Sequence, residues 1–304
     1  MITKIQRSLN TLRKRNTKLR HKVPYSLRQI LLNSSYTRNK LRNTFIANKY
    51  RSEDINVYHC CIQKTGSVWI SSILNDPLVY QYSGLTLYNY QGAIRQKQTD
   101  PLIHLKEPFP KKSIVSAMKI SHENYTNDIL KNPGSSKVFF VMRDPRELVI
   151  SWYFSTKKNH ILGNHSNMGV HRDKLNELDQ KEGIKYAIDQ FYNKDKFGLL
   201  ESWMNHKDDK NILILRYENL ISDSVNEFSR LFKFLDIRIS DEKLKQLIYD
   251  YSFEKITGRE IGVANENSHL RGGGKDSWRQ YFDEEILAYF YEKSNDVAKK
   301  MGYE

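Results

Sequence analysis

The sequence predicts a single α/β domain with a central, mainly parallel sheet flanked by helices, preceded by a basic helical N-terminal arm. Short apolar runs alternate with helical patterns along the 304 residues, which requires crossovers between parallel strands. A hydrophobic content of 39% suffices for a sizeable core. We expect strands at residues 55–62, 113–120, 137–142 and 211–216, and helices from about residue 67 and at 145–157, 181–206, 222–235, 240–249 and 283–301.

Each strand is marked by its own residues. Ile55–Ile62 and Ser113–Ile120 are short apolar runs that end in polar turns. Lys137–Met142 is apolar at every position after its lysine, which is typical of a strand covered on both faces, and Asn211–Arg216 has a similar apolar centre. Ligands of parallel sheets bind beyond the carboxyl ends of the strands, so the turns after these strands are the candidate sites.

The helix after the third predicted strand has a clear beginning. Asp144 suits the N-cap, Pro145 the first helical position and Glu147 the third, which together form a strong helix start. This boundary places Arg143 at the carboxyl edge of the sheet.

The excess of positive charge lies in residues 1–51, which contain 14 Lys or Arg and no Asp or Glu. Residues 52–304, which we take as the domain, carry 35 basic and 35 acidic side chains. Such an arm is typical of a solvating helical extension, of a peripheral contact to an anionic membrane or glycan, or of an organelle transit peptide. Its few aromatic residues argue against nucleic acid as a partner.

The apolar runs, the N-terminus and the cysteines of the chain indicate its cellular compartment. No run approaches the roughly 18 apolar residues of a membrane-spanning helix, and the N-terminus lacks the apolar stretch of a signal peptide. Cys60 and Cys61 are adjacent in a predicted strand and suit neither a disulfide framework nor a metal site. We expect a cytoplasmic protein; peripheral membrane attachment and organelle targeting through the arm stay open.

The turn after the first strand has the composition of an anion site. Lys64 supplies a charge, Thr65 and Ser67 supply hydroxyls, and Gly66 allows close backbone approach at the start of a helix. The order differs from a Walker A loop, in which Lys and Ser or Thr follow the second glycine. The alternative is an ordinary turn before a helix.

The third strand is followed by a second pair of phosphate-binding candidates. Arg143 lies at the strand end and Ser151 lies two turns into the next helix. An arginine fork and a hydroxyl together suit a phosphate. The alternative pairs Arg143 with a nearby carboxylate and leaves Ser151 bonded within its own helix.

Near the C-terminus, three consecutive glycines lie between Arg271 and Lys275. A flexible basic loop of this kind can close over a phosphorylated ligand, although a plain surface turn has the same composition.

The end of the second strand offers a candidate general base. His122 follows Ser121 there, and an imidazole has an ordinary pKa near neutrality. A lone histidine also suits a purely structural role.

Together these features resemble the family of sulfotransferases that use 3′-phosphoadenosine 5′-phosphosulfate (PAPS), over roughly residues 55–300. Gln63–Trp69 is similar to the family's Pro-Lys-Ser-Gly-Thr-Thr-Trp loop. The resemblance implies that this loop holds the 5′-phosphosulfate and that Arg143 and Ser151 hold the 3′-phosphate. The implied donor-binding residues are Lys64, Thr65, Gly66, Ser67, Val68, Trp69, Arg143, Ser151, Tyr217, Arg271, Gly272 and Gly273.

The same resemblance assigns individual roles. Trp69 and Tyr217 would contact the adenine, and His122 would take the proton of the acceptor. Lys64 would stabilise the charge that develops on the leaving nucleotide, PAP. No metal is implied. Val68 replaces a hydroxyl residue of the family loop, so that position can offer only its backbone N–H.

The resemblance therefore implies transfer of a sulfuryl group to a hydroxyl acceptor, which could be a carbohydrate, a lipid-linked glycan, or a small alcohol or phenol. We expect the acceptor pocket in residues 77–112 and 157–180. Two alternatives stay open: a P-loop-type nucleotide kinase, and a basic membrane- or anion-binding protein with a degenerate sulfotransferase domain. The sequence leaves the oligomeric state undetermined.

Overall fold

Five parallel strands form the central sheet in the order β2-β3-β1-β4-β5. The computed structural model describes residues 34–54, 56–97, 105, 108–129, 136–159, 168–260 and 276–303. The strands are β1 (Asn56–Cys61), β2 (Thr86–Asn89), β3 (Ser113–Met118), β4 (Ser136–Met142) and β5 (Ile212–Arg216). The α/β prediction is confirmed.

Helices connect these strands and cover both faces of the sheet. They are α1 (Ser34–Asn43), α2 (Ser67–Leu74), α3 (Pro77–Gln81), α4 (Tyr90–Lys97), α5 (His122–Asn124), α6 (Pro145–Phe154), α7 (Met168–Glu177), α8 (Gln180–Tyr192), α9 (Lys196–Met204), α10 (Tyr217–Ser222), α11 (Ser224–Phe234), α12 (Asp241–Asp250), α13 (Phe253–Thr257), α14 (Glu284–Ser294) and α15 (Val297–Lys300). Single π-helical turns follow α5 and α6, at Tyr125–Ile129 and Ser155–Asn159, and a 3₁₀ turn spans Ser277–Gln280.

The core lies on both sides of β4, as its apolar run predicts. Val138, Phe140 and Met142 are buried in one apolar cluster, whereas Phe139 and Val141 are buried in the other. Full burial of side chains of this size contributes about 1.5–3 kcal/mol each. The strand is therefore fixed in the middle of the sheet.

Some element boundaries differ from the sequence prediction. The strand β2 was not predicted, because four residues ending in Asn89 give too short a pattern to recognise. The helix expected at 181–206 is two helices, since Asp195 adopts a left-handed conformation (φ 45°). Asn295 and Asp296 (φ 50° and 55°) likewise divide the helix expected at 283–301.

Part of the predicted arm is packed against the domain. In α1, Tyr36 is buried and its ring lies 5.6 Å from that of Tyr88 on β2. The Asn43 side chain donates to Thr86 Oγ1 at 3.2 Å. Residues 34–43 therefore cover the β2 edge of the sheet, while residues 1–33 lie outside the described residues.

Strand register sets where the candidate residues emerge. Cys61 pairs with Val141 across β1 and β4, and Met142 pairs with Arg216 across β4 and β5. The segments that follow these three parallel strands therefore leave the sheet at the same edge.

Candidate active site

The turn between β1 and α2 is shaped to present backbone N–H groups. Lys64 and Gly66 both have left-handed backbone conformations, with φ of 73° and 72°. Gly66 is the N-cap of α2, whose first N–H groups have no acceptor within the helix. Such alternation of backbone conformation at a helix N-terminus forms a concave anion site. We call residues 62–67 the phosphate loop.

Glycine is required at position 66 for two reasons. The left-handed conformation disfavours any residue with a Cβ. A Cβ at Gly66 would also lie 2.9 Å from Cε2 of Tyr217, at the start of α10. Tyr217 therefore lies directly against the phosphate loop, and burial raises the pKa of its phenol.

Arg143 joins the phosphate loop to the end of β4. Its Nη1 donates to the carbonyl oxygen of Lys64 at 3.0 Å. Its guanidinium carbon lies 4.4 Å from the centre of the Tyr217 ring, which is the geometry of a cation–π contact. Lys64, Arg143 and Tyr217 thus form one cationic and aromatic corner at the carboxyl edge of the sheet.

The carboxylate that pairs with Arg143 is Glu147, which the sequence suggested only as a capping residue. Glu147 Oε2 lies 3.2 Å from Arg143 Nη2, and the two side chains are 1% and 9% exposed. The same carboxylate accepts from Ser277 Oγ at 3.1 Å and from the Trp278 backbone N–H at 2.8 Å. Glu147 therefore connects Arg143 to the end of the glycine-rich segment. The four-residue spacing from Arg143 was the available signal.

A second arginine, Arg146, contacts Trp278, which follows the glycine-rich segment. Arg146 is buried, forms an ion pair with the N-cap residue Asp144 at 2.8 Å, and lies 3.9 Å from the centre of the Trp278 ring. The Asp144 side chain also accepts from the Arg146 backbone N–H, so the predicted N-cap is confirmed. Arg279 lies 4.6 Å from the Trp278 ring. These contacts fix the beginning of the 3₁₀ turn at 277–280.

The remaining residues of the phosphate loop and of the first turn of α2 differ in burial and in hydrogen bonding. The Thr65 side chain is buried and its hydroxyl donates to the Ile62 carbonyl at 2.8 Å, so in this conformation Thr65 can offer a phosphate only its backbone N–H. Ser67 is half-buried, and Val68 is 70% exposed. Trp69 is half-buried and donates its indole N–H to the Tyr251 carbonyl at 2.7 Å, which fixes the plane of the ring.

The remaining predicted donor-binding residues are Ser151 and three residues of the glycine-rich segment. Ser151 lies two turns into α6 and is partly exposed. Arg271, Gly272 and Gly273 lie outside the described residues. The predicted acceptor regions contain α3, β2, α4 and α7, and residues 160–167 of the second region lie outside the described residues.

His122 is not at the strand tip where the sequence placed it. It begins α5, four residues after β3 ends, and its ring is 7% exposed. The ring stacks on His206 with centroids 3.6 Å apart and meets Trp203 edge-on at 5.3 Å. Asp209, whose charge also acts on this ring, lies three residues before β5 begins.

Burial, and secondarily the charge of His206, lowers the pKa of His122. The imidazole is therefore neutral at neutral pH and able to accept a proton. Its protonation state suits a general base, while its packing suits a structural role. The general-base assignment stays a prediction.

The described residues contain neither a metal-binding cluster nor a membrane-spanning helix. Within those ranges, no cluster of three or more His, Cys, Asp or Glu side chains is arranged to hold a metal ion. Of the helices that the structure describes, none combines the length and the apolar character needed to cross a bilayer.

Comparison with known proteins identifies the family. A family model described as "Sulfotransferase domain" matches residues 55–302, and the chain therefore belongs to the sulfotransferase domain family. Amine sulfotransferase from Oryctolagus cuniculus is 26% identical over 187 residues, or 56% of this chain and 58% of that protein. Sulfotransferase 2A1 from Homo sapiens is 22% identical over 181 residues, or 55% and 60%. The chain thus spans less than two thirds of these relatives.

Solved structures show the same fold. Mouse sulfotransferase SULT7A1, solved in complex with PAP, superposes with a TM-score of 0.57 at 18% identity, covering 90% of this chain and 95% of that one. Retinol dehydratase in complex with androsterone and PAP gives a TM-score of 0.52 at 16% identity, covering 91% and 94%.

Proposed function

We propose that this protein transfers a sulfuryl group from PAPS to an acceptor hydroxyl. The observation that carries the proposal is the hydrogen bond from Arg143 to the backbone carbonyl of Lys64, which brings the arginine at the end of β4 and the phosphate loop after β1 into one corner of the sheet. A nucleotide with phosphates on both its 3′ and 5′ positions needs two such groups at a short separation. Family membership and the PAP held by two proteins of the same fold support the same donor.

The proposed donor site divides the nucleotide between the two strand ends. Backbone N–H groups of the phosphate loop and the Lys64 ammonium hold the 5′-phosphosulfate. Arg143 and Ser151 hold the 3′-phosphate, and Arg271, Gly272 and Gly273 complete that side. Trp69 and Tyr217 supply aromatic surface for the adenine.

The chemistry is a displacement in line at sulfur. A bond forms between the acceptor oxygen and sulfur, the bond from sulfur to the bridging oxygen breaks, and PAP leaves with the bonding electron pair. Lys64 stabilises the negative charge that develops on the bridging oxygen. The acceptor proton passes to a base, for which His122 is the sequence candidate. We propose no metal in this step, because the leaving charge is met by side chains and backbone donors.

The proposal names a hydroxyl acceptor without specifying its chemical class further. The matched relatives include an amine sulfotransferase, so amines belong in the same screen. A glycan acceptor, a peripheral membrane contact through residues 1–51 and a cytoplasmic location remain predictions from the sequence.

The test is transfer of ³⁵S from labelled PAPS to a panel of phenols, alcohols, sugars, lipids and amines in the presence of EDTA. We expect labelled product with at least one hydroxyl acceptor, and loss of that product in the Lys64→Ala variant. Labelled product that requires magnesium, or equal product from wild type and Lys64→Ala, would contradict the mechanism. The alternative kinase function predicts instead magnesium-dependent transfer of phosphate from ATP.

A further inference from the structure

A group of basic side chains at the beginning of α9 has no place in the proposed donor site. Lys196 Nζ lies 4.3 Å from the centre of the Phe191 ring and 5.7 Å from that of Trp152. Lys194 Nζ lies 3.3 Å from His171 Nε2, and the His171 ring lies 5.7 Å from Trp152. We call Lys194, Lys196 and His171 the basic cluster.

The basic cluster contacts α6, the helix that carries Ser151. Trp152 directly follows Ser151 on α6, and Lys196 contacts its ring. At the other end of α9, the Trp203 indole N–H donates to the carbonyl of Ile120, two residues beyond β3, at 2.9 Å. Lys119, one residue beyond β3, acts electrostatically on both Cys61 at the end of β1 and on Lys196.

The cluster lacks a compensating negative charge. The charges that act on Lys196 are those of Lys194 and Lys119, both cationic, and within the described ranges neither Lys194 nor Lys196 forms an ion pair. Asp195 lies between them in sequence, but its carboxylate folds over its own helix, where a Cβ at Gly198 would be 2.2 Å from Asp195 Oδ1. An anion placed here would therefore relieve repulsion between cations.

Burial adds to this repulsion. Desolvation against Trp152 and Phe191, followed by the charges of Lys194 and Lys119, lowers the pKa of Lys196 to about 7. Burial and the neighbouring lysines also lower the pKa of His171, so this ring is neutral and its Nε2 can accept from Lys194. Its Nδ1 lies 2.7 Å from the Tyr186 hydroxyl, which fixes the ring. The cluster thus combines a poorly solvated lysine, Lys196, with a more exposed one, Lys194, held against a neutral imidazole.

We infer that the basic cluster binds a carboxylate or phosphate carried by the acceptor, so that the preferred acceptor is an anionic hydroxyl compound. The inference rests on the proposed function. It follows from three features: lysines without a carboxylate partner among the described residues, rings that exclude water from Lys196, and the electrostatic link through Lys119 to the end of β1, where the phosphate loop begins. An anion bound by Lys196 stabilises the ammonium form, and binding of the anion orients the acceptor that carries it.

The experiment is calorimetric titration of the full-length protein saturated with PAP. The probes are 4-hydroxyphenylacetate and 4-methylphenol, which share the phenol and differ in the carboxylate. We expect wild type to bind the carboxylated probe at least tenfold more tightly, and Lys196→Met to bind the two probes with affinities within about twofold of each other. Lys196→Arg keeps the charge and should keep the preference.

The matched control is Lys293→Met, because Lys293 also lies over aromatic rings, 5.5 Å from Tyr192 and 5.3 Å from Tyr289, but on α14. It should retain the wild-type preference. Equal affinity of wild type for the two probes, binding of neither, or a preference that survives in Lys196→Met would overturn the inference. Failure of wild type to bind PAP at the saturation step would instead count against the proposed function.

Discussion

Replacing Glu147 with glutamine should weaken folding and donor binding together. The carboxylate accepts hydrogen bonds from Arg143, Ser277 and the Trp278 backbone, and its side chain is 1% exposed. Glutamine keeps one oxygen, but its NH₂ group must then face a donor. The substitution also leaves the 9%-exposed Arg143 side chain without its negative partner.

The magnitude follows from this burial. Removing one partner of a buried ion pair costs about 3–5 kcal/mol, because the remaining charge stays desolvated. Since glutamine preserves part of the hydrogen bonding, we expect a loss of about 3 kcal/mol in the free energy of unfolding. Misorientation of Arg143 should weaken PAP binding by about tenfold, which corresponds to about 1.4 kcal/mol.

Urea unfolding measures the first quantity and titration with PAP measures the second. The matched control is Glu227→Gln, which removes the carboxylate of a more exposed pair with Arg230 at 2.8 Å and should cost less than about 1 kcal/mol. Similar losses in the two variants, or an unchanged PAP affinity in Glu147→Gln, would refute the connecting role of Glu147.

Three further predictions concern the loop, the candidate base and a buried histidine. Gly66→Ala should destabilise the fold by about 1–2 kcal/mol from the left-handed backbone alone, and should weaken PAP binding because its Cβ meets Tyr217; an unchanged melting temperature would contradict this. His122→Gln should lower kcat by about 100-fold while keeping PAP affinity if the ring is the base; normal kcat with a lower melting temperature would assign it to packing against His206. Burial lowers the pKa of His59 to about 3, so the unfolded state takes up the proton first as pH falls. Stability should therefore fall by about 2 kcal/mol between pH 6.5 and 5 in urea unfolding, and a His59→Asn variant that kept this loss would rule out His59 as its source.

The fold was predictable where the apolar residues of a strand are numerous enough to show its burial without reference to its neighbours. The apolar run of Lys137–Met142 indicated burial on both faces, and the structure shows it. The short β2 was not predictable, because its pairing with β3 defines it. The break between α8 and α9 was not predictable either, because it depends on the left-handed backbone conformation of a single residue, Asp195. Patterns of a few residues are too weak to compete with such tertiary effects.

The candidate site was predictable to the extent that parallel strands bring their ends together. This principle placed Lys64 and Arg143 at one edge, where the structure brings them into contact. Glu147 was missed because its position in the helix already had a local explanation. Lys196 was missed because its surroundings come from α6 and α8, which no local pattern connects to it.

The central claim is that Lys64 and Arg143 hold the two phosphates of one adenine nucleotide. Titration with PAP, 5′-AMP and adenosine 3′-phosphate in EDTA tests it directly. Wild type should bind PAP about 10- to 100-fold more tightly than either monophosphate, since each phosphate adds charge-assisted hydrogen bonds. Arg143→Ala should remove the advantage of PAP over 5′-AMP, and Lys64→Ala its advantage over adenosine 3′-phosphate. Equal binding of all three nucleotides by wild type would contradict the account.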